Sequence, residues 1–372
     1  MARKIRVGVI FGGRSGEHEV SLVSAKGVMG AMDREKYEIV PIGITKEGRW
    51  LASGDPLKAL EAGILEDSAP VALLGDPSYK GLMHLEGSQA TAMRLTGLDV
   101  IFPVLHGPYG EDGTVQGLLE LADIPYVGAG VLGSALGMDK ALMKTVFRAC
   151  GLPVVRHLVI KRKEWERDPR GVMQRVEEML GYPCFIKPAN LGSSVGITKV
   201  HQRSQLAPAL DLAARYDRKM LAEQGINARE IEVSVLGNDE PIASVPGEII
   251  PSREFYDYAA KYIDGRSELI IPADLPPETT RRVQELAIEA YLAVDCAGMA
   301  RVDFLLDKDN GQIYVSELNT IPGFTPISMY PRLWEASGIS YSELIDRLIE
   351  LALERHADKS RSATSYQVPE SE

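Results

Sequence analysis

Apolar runs alternate with amphipathic segments along the first third of the chain. The runs IRVGVIF (5–11), YEIVPIGI (37–44) and DVIFPVLHG (99–107) are nearly continuous, as expected for parallel strands that are buried on both faces. The segments between them predict a helix from about Glu19 and another over VQGLLELADI, with a further strand end at PYVGAG. This order predicts a parallel α/β domain whose functional loops lie at the carboxyl ends of its strands.

A different pattern begins near Ser134, where strands and helices no longer alternate regularly. The predicted elements are a helix over 138–150, strands over 152–160 and 183–189, a helix within the charged run 161–180, strands over 231–237 and 241–250, a helix over 277–294, a hairpin over 301–320 and a helix near 341–355. The sequence therefore predicts an α/β fold with α+β character in its later half. The predicted units are 1–133 with an irregular insert at about 45–95, then 134–220 and 221–355, followed by a polar tail, 356–372, expected to be disordered.

The segment RVDFLLDKDNGQIYVSELNT, which begins at Arg301, contains an Asn-Gly turn signal between two strand-like runs. If the chain folds back at Asn310, Asp303 lies opposite Glu317 and Arg301 lies near Asn319. Like charges opposite each other on a sheet repel, so a cation is expected between the two carboxylates. Such oxygen ligands suit Mg²⁺ held together with substrate phosphates. The alternative is a solvated face that Arg301 neutralises.

Three glycine-rich segments follow predicted strands and are candidate ligand-binding loops, although none has the Walker A or G-x-G-x-x-G pattern. IKPANLGSSVG carries Lys187 at a strand end, followed by small residues that let backbone N–H groups approach a phosphate. The alternative is an ordinary hairpin rich in Gly and Ser. FGGRSGEHEVSL leads into a helix, and the carboxylate of Glu17 at this position suits an ammonium group. The alternative is a helix start whose first turn is stabilised by acidic residues. LHGPYGEDGTVQG places His106 on a loop beyond a parallel strand, where functional residues are common.

The segment EFYDYAAKYIDGRS (254–267) holds Lys261 among tyrosines without a clear period. Aromatic loops of this kind can act as lids that exclude water from a reaction. The alternative is an aromatic-rich surface loop.

The composition excludes some classes of function. The chain has 372 residues, with 41 Lys and Arg against 52 Asp and Glu, and its net charge of −11 argues against nucleic acid or an anionic membrane as the main partner. No apolar stretch reaches the length of a membrane span, and the short run after MARK is expected to be a first strand rather than a signal peptide. Cys150, Cys184 and Cys296 form no CxxC motif and are expected to be buried thiols in a reducing, cytoplasmic compartment.

The motifs EHEVSL, HGPYGEDGTVQG, KPANLGSSVG, FYDYAAKY, RVDF and ELNTIPGFTPIS occur in this order and together resemble the D-alanine–D-alanine ligases of the ATP-grasp superfamily. The resemblance extends from about residue 4 to residue 355, and residues 45–95 resemble the longer insert of some members. It implies an ATP-grasp fold and a bacterial cytoplasmic enzyme of peptidoglycan precursor synthesis, commonly a homodimer. In the implied reaction ATP phosphorylates the carboxylate of one D-alanine, the amine of a second attacks the acyl phosphate, and phosphate and the dipeptide are released.

The resemblance also implies roles for residues at the nucleotide and metal sites. Asp303, Glu317 and Asn319 are expected to hold two Mg²⁺ ions, which Mn²⁺ could replace. The family commonly has lysine at the position of Gln224. The residues expected to contact ATP are Lys140, Lys187, Ser193, Ser194, Glu223, Gln224, Ile226 and Glu230.

Other implied roles concern the reacting groups. Arg301 and the backbone N–H of Gly323 are expected to stabilise the oxyanion that forms during amide synthesis. Glu17 is expected to bind the ammonium group of the first D-alanine, and His106 to lie near the acyl phosphate.

The second substrate is expected to be held by its carboxylate, through Lys261 and Ser328. Glu17, Ser193 and Tyr262 resemble a hydrogen-bonded triad that joins three domains over the substrates. In this family a tyrosine at the position of Tyr262 goes with dipeptide synthesis. The resemblance therefore implies an amine, not a hydroxy acid such as D-lactate, as the second substrate.

Two other functions stay open at this point. A different ATP-grasp ligase, joining other amino acids, would keep the metal site at Asp303, Glu317 and Asn319 but would change the roles of Glu17 and Tyr262. A non-catalytic nucleotide-binding protein would have no need for the intact set of Arg301, Asp303 and Glu317. A nicotinamide dehydrogenase is excluded because the first strand is not followed by G-x-G-x-x-G.

Overall fold

The structure is a computed structural model that describes residues 3–52, 54–64, 70–85, 95–193, 195–250, 268–325 and 327–365. The elements below are numbered in chain order within these residues. None of the helices that they form is long and apolar enough to cross a membrane.

The amino-terminal part contains a mainly parallel sheet covered by helices. Its elements are β1 (Ile5–Gly12), α1 (His18–Ala31), β2 (Tyr37–Ile44), β3 (Trp50–Leu51), α2 (Pro56–Ala62), β4 (Val71–Leu73), β5 (Gly81–His84), β6 (Leu95–Gly97), β7 (Val100–Leu105), α3 (Thr114–Leu121) and α4 (Val131–Met138). The strand order is β3-β2-β1-β7, and β1 pairs in parallel with both β2 and β7. Both faces of β1 are buried, which explains its continuous apolar run. Strands β4, β5 and β6 form a separate antiparallel sheet; β4 and β5 lie within the predicted insert, and β6 begins where that insert was expected to end.

The central part is an antiparallel sheet with helices packed against it. Its elements are α5 (Lys140–Ala149), β8 (His157–Lys161), α6 (Arg162–Arg167), α7 (Pro169–Leu180), β9 (Cys184–Pro188), β10 (Thr198–Val200), α8 (Arg203–Tyr216) and β11 (Lys219–Gln224). The strand order is β10-β9-β11-β8. The apolar side chains of α7 and α8 pack against β9 and β11 in one core.

The carboxy-terminal part contains the largest sheet. Its elements are β12 (Ala228–Gly237), β13 (Ile242–Ala243), β14 (Gly247–Ile250), β15 (Glu268–Ile270), α9 (Pro277–Ala293), β16 (Gly298–Asp307), β17 (Ile313–Asn319), α10 (Met329–Ala336) and α11 (Tyr341–Lys359). The strand order is β15-β14-β12-β16-β17, and β13 pairs with β12. Helix α9 buries one side against β12, β16 and β17, whereas α11 packs with α1 against the amino-terminal sheet.

The predicted hairpin register is confirmed. Arg301 pairs with Asn319 and Asp303 pairs with Glu317, with an irregularity between Asp303 and the next residue of β16. The predicted α/β class and the strands at 5–11 and 37–44 are also confirmed. The predicted boundaries between units at 133, 220 and 355 stay predictions.

Several predicted elements have different limits in the structure. The expected strand at PYVGAG is wrong, because only an isolated bridge joins Tyr126 to Ile101. The strand expected over 152–160 begins only at His157, and the helix expected over 138–150 begins at Lys140. Asp139 ends α4 and caps α5, since its carboxylate accepts hydrogen bonds from the first turn of α5.

Proline and capping residues explain two further differences. The strand expected over 241–250 is divided, because Pro246 has no backbone N–H for a sheet and lies between β13 and β14. The charged run forms two helices, since the Asp168 carboxylate accepts from the Gly171 N–H at 2.9 Å and starts α7. Helices α2, α4, α8 and α10 were not predicted.

The predictions for the tail and the cysteines are partly wrong. Helix α11 continues to Lys359, so the first residues of the expected disordered tail are helical. Cys184 and Cys296 are buried free thiols, whereas Cys150 is exposed, because it follows the last turn of α5.

Two leucines of α9 provide a matched test of this packing. Leu286 is 1% exposed in the core between α9 and the large sheet, whereas Leu292 is 48% exposed. Leu286→Ala should lower the free energy of unfolding by about 2–5 kcal/mol, because it leaves a cavity. Leu292→Ala should lower it by less than about 0.5 kcal/mol. Urea denaturation of both variants measures the difference, and equal effects would contradict this packing.

Candidate active site

A cleft of about 480 Å³ lies between the central sheet and the large carboxy-terminal sheet. Its lining brings together residues that are far apart in the sequence and were predicted from the sequence as ATP or metal ligands: Lys187, Glu223, Gln224, Ile226, Glu230, Asp303 and Glu317. Apolar side chains that were not predicted complete the walls, among them Phe185, Ile197 and Phe304. Apolar walls with a few converging polar groups are typical of a small-molecule site.

Three carboxylates occupy neighbouring positions across the large sheet. Glu232 of β12 pairs with Asp303 of β16, which pairs with Glu317 of β17. The Arg301 guanidinium donates to both carboxylate oxygens of Asp303 at 2.7 Å, and its Nε lies 2.9 Å from Glu232 Oε2. Burial alone would lower the pKa of Arg301, but the carboxylates of Asp303 and Glu232 raise it well above its ordinary value. Arg301 therefore stays charged.

The chemistry of Asp303, Glu317 and Asn319 fits a hard divalent cation. Carboxylate and amide oxygens are its preferred ligands, and Asn319 is close enough to Asp303 for Nδ2 to donate to Oδ2 at 3.1 Å. Within the described residues, no three His, Cys, Asp or Glu side chains are grouped so that they could hold a metal by themselves. A cation here would therefore need Asn319 and phosphate oxygens in its ligand shell.

Two lysines approach Glu223 at the other side of the cleft. The ammonium of Lys187 pairs with Glu223 Oε2, and Lys144 Nζ lies 3.1 Å from Glu223 Oε1. Burial alone would raise the pKa of Glu223, but the two lysines outweigh it and lower the pKa to about 2. Lys140 lies nearby, with Nζ 3.2 Å from Glu317 Oε2 and donating to the Leu191 carbonyl at 2.9 Å.

Glu17 lies at the start of α1 and is held closely by loops from two parts of the chain. The Ser193 hydroxyl donates to Glu17 Oε1. A Cβ added to Gly107, where φ is +76°, would lie 2.6 Å from Glu17 Oε2, and one added to Gly192 would lie 3.1 Å from it. Glycine at these two positions therefore leaves the space that the carboxylate occupies.

His106 is buried beside this carboxylate. Its Nδ1 donates to the Ile321 carbonyl at 3.1 Å and lies 3.9 Å from Glu111 Oε1. Burial alone would lower the pKa of His106, but the carboxylates of Glu111 and Glu17 raise it above its ordinary value. A cationic imidazole is thus favoured next to the candidate amino-acid site.

The ELNTIPGFTPIS segment carries Gly323 and Ser328 close together. Ser328 Oγ accepts from the Thr325 N–H at 3.0 Å and lies 2.7 Å from the Thr325 hydroxyl. A Cβ added to Gly323 would lie 2.8 Å from Ser328 Oγ. The turn therefore brings the backbone of Gly323 and the hydroxyl of Ser328 to one place.

Comparisons with known proteins show the family to which the chain belongs. Residues 6–129 match the family described as D-ala D-ala ligase N-terminus, and residues 146–350 match D-ala D-ala ligase C-terminus. The chain belongs to the D-alanine–D-alanine ligase family. It is 52% identical over 365 residues to the D-alanine–D-alanine ligase of Natranaerobius thermophilus, covering 98% of this chain and 99% of that protein. It is 56% identical over 360 residues to that of a Thermoanaerobacter species, covering 96% and 99%.

Solved structures lead to the same family. The D-alanine-D-alanine ligase from Coxiella burnetii is 39% identical, with a TM-score of 0.84 over 97% of both chains. The VanG D-Ala:D-Ser ligase from Enterococcus faecalis is 40% identical, with a TM-score of 0.83 over 94% of this chain and 100% of that one. Membership of this ligase family confirms the predicted ATP-grasp fold and the prediction of an ATP-dependent ligase that uses a divalent metal.

Some predicted site residues of this ligase lie outside the described residues: Ser194, Lys261, Tyr262 and the predicted lid, 254–267. Gln224 lines the cleft, and its side-chain oxygen accepts from Arg156 Nε at 2.9 Å. The site roles assigned by resemblance stay predictions.

Sequence reasoning missed Lys144 and Glu232. The signal for Lys144 was its position on the buried face of α5, among Ala141 and Phe147, where a lysine is unusual. Glu232 interrupts the apolar run of β12. Their partners, however, follow only from the packing of α5 against distant strands and from the pairing of β12 with β16.

The lowered pKa of Glu223 predicts a pH dependence of stability. An ordinary glutamate takes up a proton near pH 4.5, and Glu223 does so near pH 2 in the folded chain. Its contribution to stability is therefore fully present above about pH 5 and is lost as the pH falls below that value. The difference in unfolding free energy between the wild type and Glu223→Gln should narrow between pH 5 and pH 3, measured by urea denaturation. A difference that stays constant there would contradict the charge pairing.

Proposed function

We propose that the chain joins two molecules of D-alanine at the expense of ATP, through an acyl phosphate, and supplies D-alanyl-D-alanine for peptidoglycan precursors. The observation that carries this proposal is the position of the Glu17 carboxylate. It is buried between Gly107 and Gly192 and is held by Ser193, a residue of the loop that follows strand β9, whose Lys187 lines the cleft. A buried carboxylate held in this way suits the ammonium group of an amino acid whose own carboxylate is to be phosphorylated.

ATP is proposed to lie in the cleft between the two sheets. Glu223, Gln224 and Ile226 contact the adenine, and Glu230 contacts the ribose. Lys140, Lys187 and the loop with Ser193 and Ser194 contact the phosphates. The lining of the cleft supports this assignment, since it holds Glu223, Gln224, Ile226 and Glu230 together with Lys187, and Lys140 lies beside the lining residue Glu317.

Two Mg²⁺ ions are the proposed metals, held by Asp303, Glu317 and Asn319, and Mn²⁺ could replace them. When bound, the ions neutralise the charge of the transferring phosphoryl group. The oxygen donors of these three residues support the assignment.

The amide-forming step is proposed to depend on Arg301 and the Gly323 N–H, which stabilise the oxyanion of the tetrahedral intermediate. His106 lies near the acyl phosphate, where a cationic imidazole favours its negative charge. Ser328 and Lys261 hold the carboxylate of the second D-alanine, and Tyr262 joins Glu17 and Ser193 in a triad. The contact of Ser193 with Glu17 supports the triad.

We also propose that the enzyme works in the bacterial cytoplasm as a homodimer. The cytoplasm is where ATP and amino-acid precursors of peptidoglycan meet. The family resemblance supports the dimer.

Glu17→Gln tests the ammonium site. The glutamine still accepts a hydrogen bond from Ser193 but has no charge, so kcat/KM for D-alanine should fall on the order of a hundredfold. Glu19→Gln is the matched control on the same helix, because Glu19 is exposed and pairs with Lys46. Its kcat/KM should stay within about twofold of the wild type. Equal effects of the two substitutions would contradict the role of Glu17.

The reaction itself is tested by phosphate release from ATP and Mg²⁺, with the product identified by mass. D-Alanine alone should support release and give D-alanyl-D-alanine, and L-alanine should not. Equimolar D-serine or D-lactate added to D-alanine should give only minor mixed products, because the proposed second substrate is D-alanine. A predominant D-alanyl-D-serine or D-alanyl-D-lactate product would overturn the assignment of the second substrate. Release that does not depend on D-alanine would overturn the function.

A further inference from the structure

Lys144 is a fully buried lysine that the proposed mechanism does not use. Its side chain is 1% exposed, and it lies on the inner face of α5 rather than in the lining of the nucleotide cleft. A buried ammonium group is costly unless it is paired and hydrogen-bonded. Lys144 Nζ meets this requirement with two groups, the Ser316 carbonyl at 2.6 Å and Glu223 Oε1 at 3.1 Å.

Glu223 therefore lies between two ammonium groups, one in the wall of the cleft and one in the protein core. Lys187 pairs with it from the cleft, whose wall it forms, and Lys144 pairs with it from the protein core. In the proposed function, Lys187 contacts a phosphate and Glu223 contacts the adenine. The ion pair between Lys187 and Glu223 must then break. Without Lys144, the buried carboxylate of Glu223 would have no counter-ion.

The second contact of Lys144 leads to the metal strand. Ser316 lies in the irregular part of β17, because Glu317 pairs with Asp303 whereas Val315 pairs with Phe304. The carbonyl that accepts from Lys144 therefore belongs to the extra residue of this irregularity, directly before Glu317. One ammonium group thus joins the adenine side of the cleft to its metal side.

We infer that Lys144 is a positioning residue: it is the permanent counter-ion of Glu223, which it holds in place for the 6-amino group of adenine while Lys187 turns to the phosphates. This inference rests on the proposed function, since it assumes that the cleft binds ATP. The 6-amino group is a hydrogen-bond donor, and an ionised carboxylate is its strongest acceptor among protein side chains.

Lys144→Met tests the inference, because methionine has a similar length without the charge. The remaining pair of Glu223 with Lys187 still balances the site during folding. The readout is the ratio of KM for purine riboside triphosphate, which lacks the 6-amino group, to KM for ATP. Lys144→Met should raise KM for ATP about tenfold and lower this ratio towards one, with KM for D-alanine within about twofold of the wild type. Loss of packing alone would weaken the binding of both nucleotides equally and leave the ratio of their KM values unchanged.

Two further variants complete the test. Lys144→Gln can still donate to the Ser316 carbonyl but has no charge, so it should lower the ratio as Lys144→Met does; it takes the place of that variant if the methionine protein does not fold. Lys219→Met is the matched control, because Lys219 is also buried and paired with an acid, Asp139, outside the cleft lining. Its ratio should equal that of the wild type.

The outcomes separate this inference from the proposed function. If the wild type prefers ATP and both Lys144→Met and Lys144→Gln keep this preference, only the role of Lys144 is overturned. A wild-type protein that binds neither nucleotide in the presence of Mg²⁺ overturns the proposed function and the inference with it. Loss of the preference in both Lys144 variants, but not in Lys219→Met, supports the inference.

Discussion

Repulsion between three neighbouring carboxylates is the constraint on which the rest of the site depends. Glu232, Asp303 and Glu317 lie side by side on adjacent strands, where like charges destabilise a sheet, and partial burial strengthens the repulsion. Arg301 contacts the first two of them and Lys140 approaches the third. Two basic side chains offset this repulsion, Arg301 from the same strand as Asp303 and Lys140 from α5.

Basic side chains that pair with carboxylates of the site are also proposed ligands of the substrates. Lys140 is paired with Glu317 and Lys187 with Glu223, and both lysines are proposed to contact ATP phosphates. When the nucleotide binds with its metal ions, the lysines would therefore exchange their carboxylate partners for phosphates, and the metal ions would take the place of Lys140 at the metal-site carboxylate of Glu317. Such an exchange avoids burying new unpaired charges, which is the main cost of assembling an ionic site. Glu232 and Lys144 have no proposed contact with the substrates, so they would keep their partners, Arg301 and Glu223, during the exchange.

The parts of this site that could be predicted from the sequence are those fixed by local geometry. The turn at Asn310 and Gly311, where φ is +74°, sets the hairpin, and strand alternation then places Asp303 opposite Glu317. Local patterns could not reveal that α5 carries Lys144 to both β11 and β17, because that contact depends on packing between distant segments. Pro246 was a sequence signal that the strand over 241–250 is divided, but the continuous apolar pattern favoured a single strand. The roles of individual residues came from resemblance to a family and not from spacing.

The most direct test of the metal platform is calorimetric titration of ADP into the wild-type protein and into Asp303→Asn, each with Mg²⁺ and with a chelator. Mg²⁺ should tighten ADP binding to the wild type by about tenfold or more, because the carboxylates of Asp303 and Glu317 and the phosphates need a cation between them. Asp303→Asn should lose most of this difference. Equal ADP affinity with and without Mg²⁺ in the wild type would contradict a metal site at Asp303, Glu317 and Asn319.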